Sequence, residues 1–439
     1  TAISLLGERL LGTLTSSRII IAFHVASVLF FALLVATVYM FGRLLGLSRL
    51  GSVFAAAVTF LYPTLFGHGL SNLKDTAQVS LFTLSLYFLV RSSLTEKRQY
   101  LLSGGAIWGL ALASKFNAIY VPIIWGIWQM TNLRIYKSTN RKRRLLLVTG
   151  YWLLVTAVGF ATAFALWPYL WFDPIPRVLE VIHYFASVGQ GYKIFWDGTL
   201  YEVGSGKALW WYPWANLLYA TPIPLLLLGI VGVASIVHKI VRKSSSAWPQ
   251  VLLLIWFVVP QLRAFFPHAA FYDGVRHFLE VLPVGILMAA IGLEKISDLK
   301  NKKTWTVIVA GLVIVHMAFI NVTYFPYSTG YYNLLAQNPN ERFDRDIEAL
   351  SIKEAVTYLH EKYGAIVLWS QIGGHLSWYY LTPLDRYVYS ALAADSIIKV
   401  NKSSHIRQAG PDERIGPQFV LVHVISRGDA VFAWIYRKK

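Results

Sequence analysis

The sequence has no cysteine among its 439 residues. That excludes disulfides, thiol nucleophiles and cysteine-held metals, and it leaves the redox compartment unread. Acids are scarce as well, with 22 Asp and Glu against 40 Lys and Arg. Charged residues of both signs make up only 14% of the chain. A soluble domain carries roughly 25%, so ordinary soluble composition is excluded. Tandem repeats, low-complexity tracts and a signal peptide are not visible. The histidines show no metal-ligand spacing, so no metal site is expected. No cofactor is called for, though a divalent cation remains open.

What the chain does have is apolar surface. Hydrophobic residues reach 56% and aromatic residues 15%, and the mean hydropathy is +0.51. Runs such as Ile19–Phe41 and Leu146–Trp167 are long enough to cross a hydrocarbon layer of ~30 Å. The net charge of +18 would suit nucleic acid. The basic residues cluster in short loops between apolar runs, however, so topology accounts for them and no nucleic-acid partner is expected.

Full spans are expected near 19–41, 51–66, 76–90, 146–167, 217–237, 249–265, 278–293 and 305–323. The segment 103–130 is interrupted by "SKFNA", Ser114–Ala118. The loop before it carries Arg91, Lys97 and Arg98, and the loop after it carries Arg134, Lys137 and the run Arg141–Arg144. Both loops should be cytoplasmic. The segment must then enter and leave on one side, as a broken-helix hairpin with Lys115 and Asn117 near the far end. The hinge 67–75, the hairpin tip, the aromatic loop 168–216 and the turn 265–278 are expected to converge on one outer face. The fold class is therefore an all-α polytopic membrane protein, about eight full spans plus the hairpin, with a small C-terminal extracytoplasmic α/β domain. The membrane part should cover 1–323 and the tail 324–439. The loop 168–216 should form one or two helices lying in the interface. In the tail, 350–363 reads as a helix with a capping box of Ser351 and Glu354, and 365–369, 419–424 and 431–436 read as strands.

Three sets of polar residues sit where lipid would not want them. Asp75 lies beside Lys74 and His68 in "FGHGLSNLKD". It is either the N-cap of helix 76–90 or a site carboxylate, since ionisable groups at a bilayer boundary are expensive. Lys115 either snorkels to the surface or holds an anion. Arg276, followed by His277, either pairs with Glu280 four residues on or clamps a phosphate. If Asp75 is functional, its carboxylate should face a cavity open to water and lipid, with a cation within about 10 Å.

The stretches "FGHGLSNLKD", "LALASKFNA", "WPYLWFDPIPRVLE", "YDGVRHFLEVLP" and "PYSTGYYN" occur in that order along the chain. Together they resemble bacterial membrane glycosyltransferases of the C superfamily, in the group related to protein O-mannosyltransferases and lipid A aminoarabinose transferases. The resemblance implies a sugar donor linked to polyprenyl phosphate. It implies a hydroxyl acceptor on protein, lipid or glycan, and a site at the outer face of the plasma membrane. Asp75 matches the family's second acidic motif and would be catalytic. His68, Lys74, Lys115, Arg276 and His277 would bind the donor phosphate or substrate. The first acidic motif would precede Thr1, and nothing in the chain, Glu8 included, matches it. A chain shortened at its N-terminus, or an inactive relative, is the expectation on that point. Glycosyl transfer needs a carboxylate to take the acceptor proton and cations to hold the departing phosphate, and these residue types supply both. The competing readings are a transporter or flippase of lipid-linked sugars, which would place its charges near the bilayer midplane, and a non-catalytic membrane scaffold.

Overall fold

The computed structural model describes residues 16–131, 141–244, 247–269, 271–297, 302–372, 374–405 and 415–439. Glu8, Arg134, Lys137 and Lys300 lie outside them.

Long apolar runs with no interior partner for a lone backbone N–H become helices, because lipid offers no hydrogen bonds. The membrane part contains α1 (Ser16–Leu44), α2 (Arg49–Leu61), α3 (Pro63–Ser71), α4 (Leu73–Thr95), α5 (Arg98–Ser114), α6 (Tyr120–Thr131) and α7 (Arg141–Leu166). After the loop that follows α7 come α8 (Pro174–Ser187), α9 (Tyr212–Ala220), α10 (Ile223–Val241), α11 (Ala247–Val258), α12 (Leu282–Ser297) and α13 (Lys302–Tyr324). Among the described residues, 7 helical stretches are long and apolar enough to cross a membrane, or up to 8 if α2 and α3 form one span bent by 59°. Pro63 opens α3. Its missing N–H and fixed φ end one helix and start the next.

The central spans are α4 and the stretch 274–295, most of whose residues are buried inside the protein. α4 carries Ser80 and Thr83, whose hydroxyls donate to the carbonyls of Thr76 and Val79, both at 2.7 Å. Polar side chains that bond back to their own helix can sit in an apolar bundle without an unmet donor. α10 and α12 meet at Gly232 and Gly292. A Cβ at Gly232 would stand 1.8 Å from the Met288 carbonyl oxygen, and one at Gly292 would stand 2.0 Å from that of Leu228. Only glycine allows this approach, which is the small-residue packing expected between membrane helices.

The hairpin forms as expected. α5 runs back along α4, with Ser85 Oγ donating to the Gly104 carbonyl at 2.8 Å. Its end brings Lys115 to Asp75. α6 then returns, and Trp125 Nε1 and Gln129 Nε2 reach Ser93 Oγ at 3.2 and 3.0 Å. Ser93 and Asp75 lie near opposite ends of α4. The break at Lys115–Ile119 therefore sits at the Asp75 end.

Three local expectations need correction. The stretch 67–75 is not an open hinge, since α3 runs through Ser71 and only Asn72 breaks the helix. The cap of α4 is Asn72, whose side chain accepts from the Asp75 amide at 3.1 Å, so Asp75 is not a cap. The loop 168–216 does contain the amphipathic α8, with Ile175, Leu179 and Ile182 exposed. It also contains a hairpin of β1 (Lys193–Trp196) and β2 (Thr199–Glu202). Trp196 is buried against Phe343, Tyr212 and Tyr219, with ring centroids 4.6 to 5.7 Å apart.

The tail builds a five-stranded mixed sheet in the order β4-β3-β5-β7-β6. Its strands are β3 (Val367–Ser370), β4 (Arg386–Tyr387), β5 (Ser396–Val400), β6 (Phe419–Arg427) and β7 (Ala430–Lys438). The helix α14 (Ser351–Tyr363) packs on it through Ile352, Val356 and Leu359. Ser351 does not cap α14. The carboxylate of Asp346 does so instead, accepting from the amides of Leu350 and Ser351 at 2.8 and 2.9 Å. Glu354 pairs with Arg427. Residues 326–348 lie on the membrane part. Gly67 has no room for a Cβ beside Thr329, and Asn333 Nδ2 donates to the carbonyls of Leu218 and Thr221, each at 2.7 Å.

Candidate functional site

Four segments meet at the Asp75 end of the bundle. Asn72 starts α4 and turns Asp75 inward, where its side chain is 0% exposed. The hairpin tip supplies Lys115, with Nζ 2.7 Å from Asp75 Oδ1. The turn before the 274–295 span supplies Arg276, with Nε 2.6 Å from Asp75 Oδ2. The tip and turn are tied together directly, because Asn117 Nδ2 donates to the His277 carbonyl at 2.8 Å. The aromatic loop closes the side, with Phe185 stacked on Phe116 at 4.6 Å and Tyr192 against Tyr272 at 4.9 Å.

Arg276 is the more accessible cation, with 27% of its side chain exposed. Two carboxylates aim it, since Nη1 also lies 3.0 Å from Asp273 Oδ2. Its planar fork keeps further N–H donors in a fixed geometry, a form suited to an oxyanion. Lys115, at 10% exposure, backs it from the other side. The expected Arg276–Glu280 pair does not form. Arg276 is committed to Asp75 and Asp273, and neither oxygen of Glu280 has a hydrogen-bond partner among the described residues.

The other sequence candidates divide. His68 is buried, with Nδ1 3.1 Å from Glu348 Oε1. His277 gives its carbonyl to the site while its ring packs on Tyr272 at 4.3 Å. Lys74 is exposed and makes no ion pair among the described residues. The open cavity expected in front of Asp75 is replaced by burial. Its carboxylate is wholly enclosed by its two cations and Asn72, and Arg276 provides the accessible edge. No three His, Asp or Glu side chains among the described residues are placed to hold a metal ion.

Three participants come from outside the quoted Asp75 and Lys115 stretches. Asp273 belongs to "YDGVRHF", where Arg276 drew attention first. Glu348 and Lys402 are contributed by the tail. The run "RFDRDIEAL" is acid-rich in a chain poor in acids, and that contrast is the one local signal that points to Glu348. Burial pushes the Glu348 carboxyl up, but His68, Arg276 and Asn72 outweigh it and hold it down to about 2. Its stabilising contribution is thus complete above its ordinary value near 4.5 and fades as pH falls toward 2. The thermal midpoint of the wild type should exceed that of Glu348→Gln at pH 7, and the gap should narrow below about pH 4.5. A gap that widens on acidification would contradict this pairing. Asp344 nearby behaves oppositely, because burial outweighs its bonds to Ser404 and the charge of Lys402 and lifts it to about 6.

Residues 5–167 match a family model described as dolichyl-phosphate-mannose-protein mannosyltransferase. That range includes Asp75 and Lys115 but not Arg276. No curated protein matches the chain. Among solved structures, ArnT from Cupriavidus metallidurans bound to undecaprenyl phosphate is 12% identical with a TM-score of 0.50, over 99% of this chain and 86% of that one. ArnT from the same organism in the apo state is 13% identical, with a TM-score of 0.47 over 99% and 86% of the two chains. The Archaeoglobus fulgidus oligosaccharyltransferase in complex with zinc and sulfate is 12% identical, with a TM-score of 0.44 over 87% of this chain and 48% of that one. At such identity a structural likeness is a likeness of fold. The family match over the first helices and the fold shared with ArnT relate this chain to the C superfamily of membrane glycosyltransferases.

Proposed function

We propose that the protein transfers a sugar from a polyprenyl-phosphate donor to a hydroxyl acceptor at the outer membrane face. The observation that carries this reading is the clasp of Asp75 by Lys115 and Arg276, two cations delivered by separate segments to one end of the bundle. A buried charge cluster costs desolvation that apolar packing would avoid, so the fold alone gives no reason to keep it. A donor phosphate reaching the accessible edge of Arg276 would compete with Asp75 for the same cations. As it draws them away, the Asp75 carboxylate loses its partners and is freed to accept a hydrogen bond from the acceptor hydroxyl. The acceptor oxygen then attacks the sugar C1, the C1–O bond to phosphate breaks, and the phosphate keeps that electron pair beside Arg276 and Lys115. Asp75 takes the acceptor proton. Near this end of the bundle, a cavity of about 400 Å³ is lined by Tyr62, Trp214, Leu225, Phe257, Ile286 and Met288. Its apolar lining suits the isoprenoid chain of such a donor, and Val281 and Leu282 in its wall follow Arg276 along the same stretch. The match to a mannosyltransferase family over residues 5–167 makes a hexose the first sugar to try.

The test is a panel of radiolabelled polyprenyl-phosphate mannose, glucose and arabinose, offered to the full chain in proteoliposomes with membrane extracts as acceptor source. Release of polyprenyl phosphate with label moving to an acceptor is the expected result. Transport of intact donor without cleavage would favour a flippase. The basic residues Arg91, Lys97 and Arg98 lie at the end of α4 opposite the site, which supports an outer position for the site. A cysteine put at exposed Lys74 in this cysteine-free chain should react with an impermeant thiol reagent applied to cells from outside. Labelling only after the cells are broken would reverse the topology.

A further inference from the structure

The tail reaches the site by two routes. The first begins at Glu348. Asn72 Nδ2 donates to Glu348 Oε1 at 2.7 Å and to Asp75 Oδ2 at 2.8 Å. One amide therefore holds two carboxylates at a fixed separation. Glu348 is itself fixed by the Ser71 hydroxyl on Oε2 at 2.8 Å and by His68. The second route begins at Lys402. Its Nζ lies 2.9 Å from Asp273 Oδ1 and donates to the Ile347 carbonyl. Lys402 occupies one oxygen of Asp273 and leaves the other, Oδ2, for Arg276 Nη1 at 3.0 Å.

We propose that Glu348 and Lys402 are positioning residues of the phosphate grip, Glu348 acting on Asp75 through Asn72 and Lys402 acting on Arg276 through Asp273. The proposal rests on the transfer reading above and makes the tail part of the site. No hydrogen bond or ion pair joins either residue to Lys115 or Arg276 among the described residues, so the bonded routes run through Asn72 and Asp273, while the Glu348 charge also reaches Arg276 through space. Without the charge at 348, Asn72 has no anion to divide itself against, and its amide can turn away from Asp75. Without Lys402, both oxygens of Asp273 compete for the Arg276 guanidinium and draw it from the phosphate. Docking alone does not need these charges. Phe343 already packs on Trp196 at 4.6 Å and on Tyr219 at 5.6 Å, while Lys402 is 5% exposed and Glu348 11%. Burying charge at a junction costs more than burying apolar surface there.

The experiment measures binding of undecaprenyl phosphate, with undecaprenol as the uncharged control, to the full chain in nanodiscs. The wild type should prefer the phosphate. Glu348→Gln and Lys402→Gln should each weaken phosphate binding by roughly 10-fold to 100-fold, the usual effect of misplacing a binding group, and leave undecaprenol binding unchanged. Lys402→Arg, which keeps the charge, should recover most of the loss. Arg437→Gln breaks an ion pair with Asp395 inside the tail sheet and should bind like the wild type. Equal loss for phosphate and alcohol, a matching loss in Arg437→Gln, or no recovery in Lys402→Arg would assign the two residues a structural role and overturn the proposal. If Lys402→Gln fails to fold, the near-isosteric Glu348→Gln and the charge-keeping Lys402→Arg decide by the same criteria. A wild type that prefers phosphate while both Gln variants bind normally overturns this proposal alone. A wild type that does not tell phosphate from alcohol overturns it together with the transfer reading.

Discussion

Asp75→Asn should lower sugar transfer by roughly 10²–10⁴-fold, the range seen when a general acid–base group is lost. The amide keeps the shape of the carboxylate and removes both its charge and its basicity. In the wild type, Asp75 Oδ1 meets Lys115 at 2.7 Å and Oδ2 meets Arg276 at 2.6 Å. An amide presents one oxygen and one NH₂ group, so one cation faces a donor in place of an acceptor. Breaking one side of a buried pair costs about 3–5 kcal/mol of stability, so the variant also unfolds more easily. The two effects separate at a temperature where the variant is still folded, judged by its unfolding curve. Transfer within threefold of wild type by folded Asp75→Asn would remove Asp75 from the chemistry.

Arg276→Lys should weaken the donor's apparent affinity by about 10-fold to 100-fold, the equivalent of one charge-assisted hydrogen bond at roughly 1.5–3 kcal/mol. Charge is conserved, so a purely electrostatic role would predict little change. The guanidinium, however, works in several directions at once. Nε serves Asp75, Nη1 serves Asp273, and the exposed edge faces outward. An ammonium on a flexible stem cannot serve two fixed carboxylates and still present a planar fork to a phosphate. The loss should appear as a raised donor KM with a smaller change in kcat. A fall in kcat alone, at unchanged KM, would mean that Arg276 does not hold the donor.

Much of this arrangement is legible in the chain because membranes impose simple rules. An apolar run of the right length must be a helix, and basic loops declare their side. That logic resolves the interrupted segment 103–130 into a hairpin and sets Lys115 near Asp75. What the chain does not declare is pairing at long range. Asn72 meets Glu348 across 276 positions, and local periodicity carries no information about such a contact. The capping errors have a different cause. Ser351 and Glu354 have capping-box spacing, but Asp346 is closer to the amides that need an acceptor and Arg427 draws Glu354 away. The β1–β2 hairpin escapes because an aromatic loop beside a membrane reads equally well as interfacial helix. Here Trp196 instead turns inward onto Phe343.

The central claim is that the donor phosphate is held by Arg276 and Lys115. An electron cryomicroscopy structure of the full chain with undecaprenyl phosphate tests it directly. The account predicts phosphate density within hydrogen-bonding distance of Arg276 and Lys115, the isoprenoid entering the cavity beside Trp214 and Phe257, and Asp75 released from at least one cation. Phosphate density elsewhere, with Asp75 still clasped by both, would contradict it.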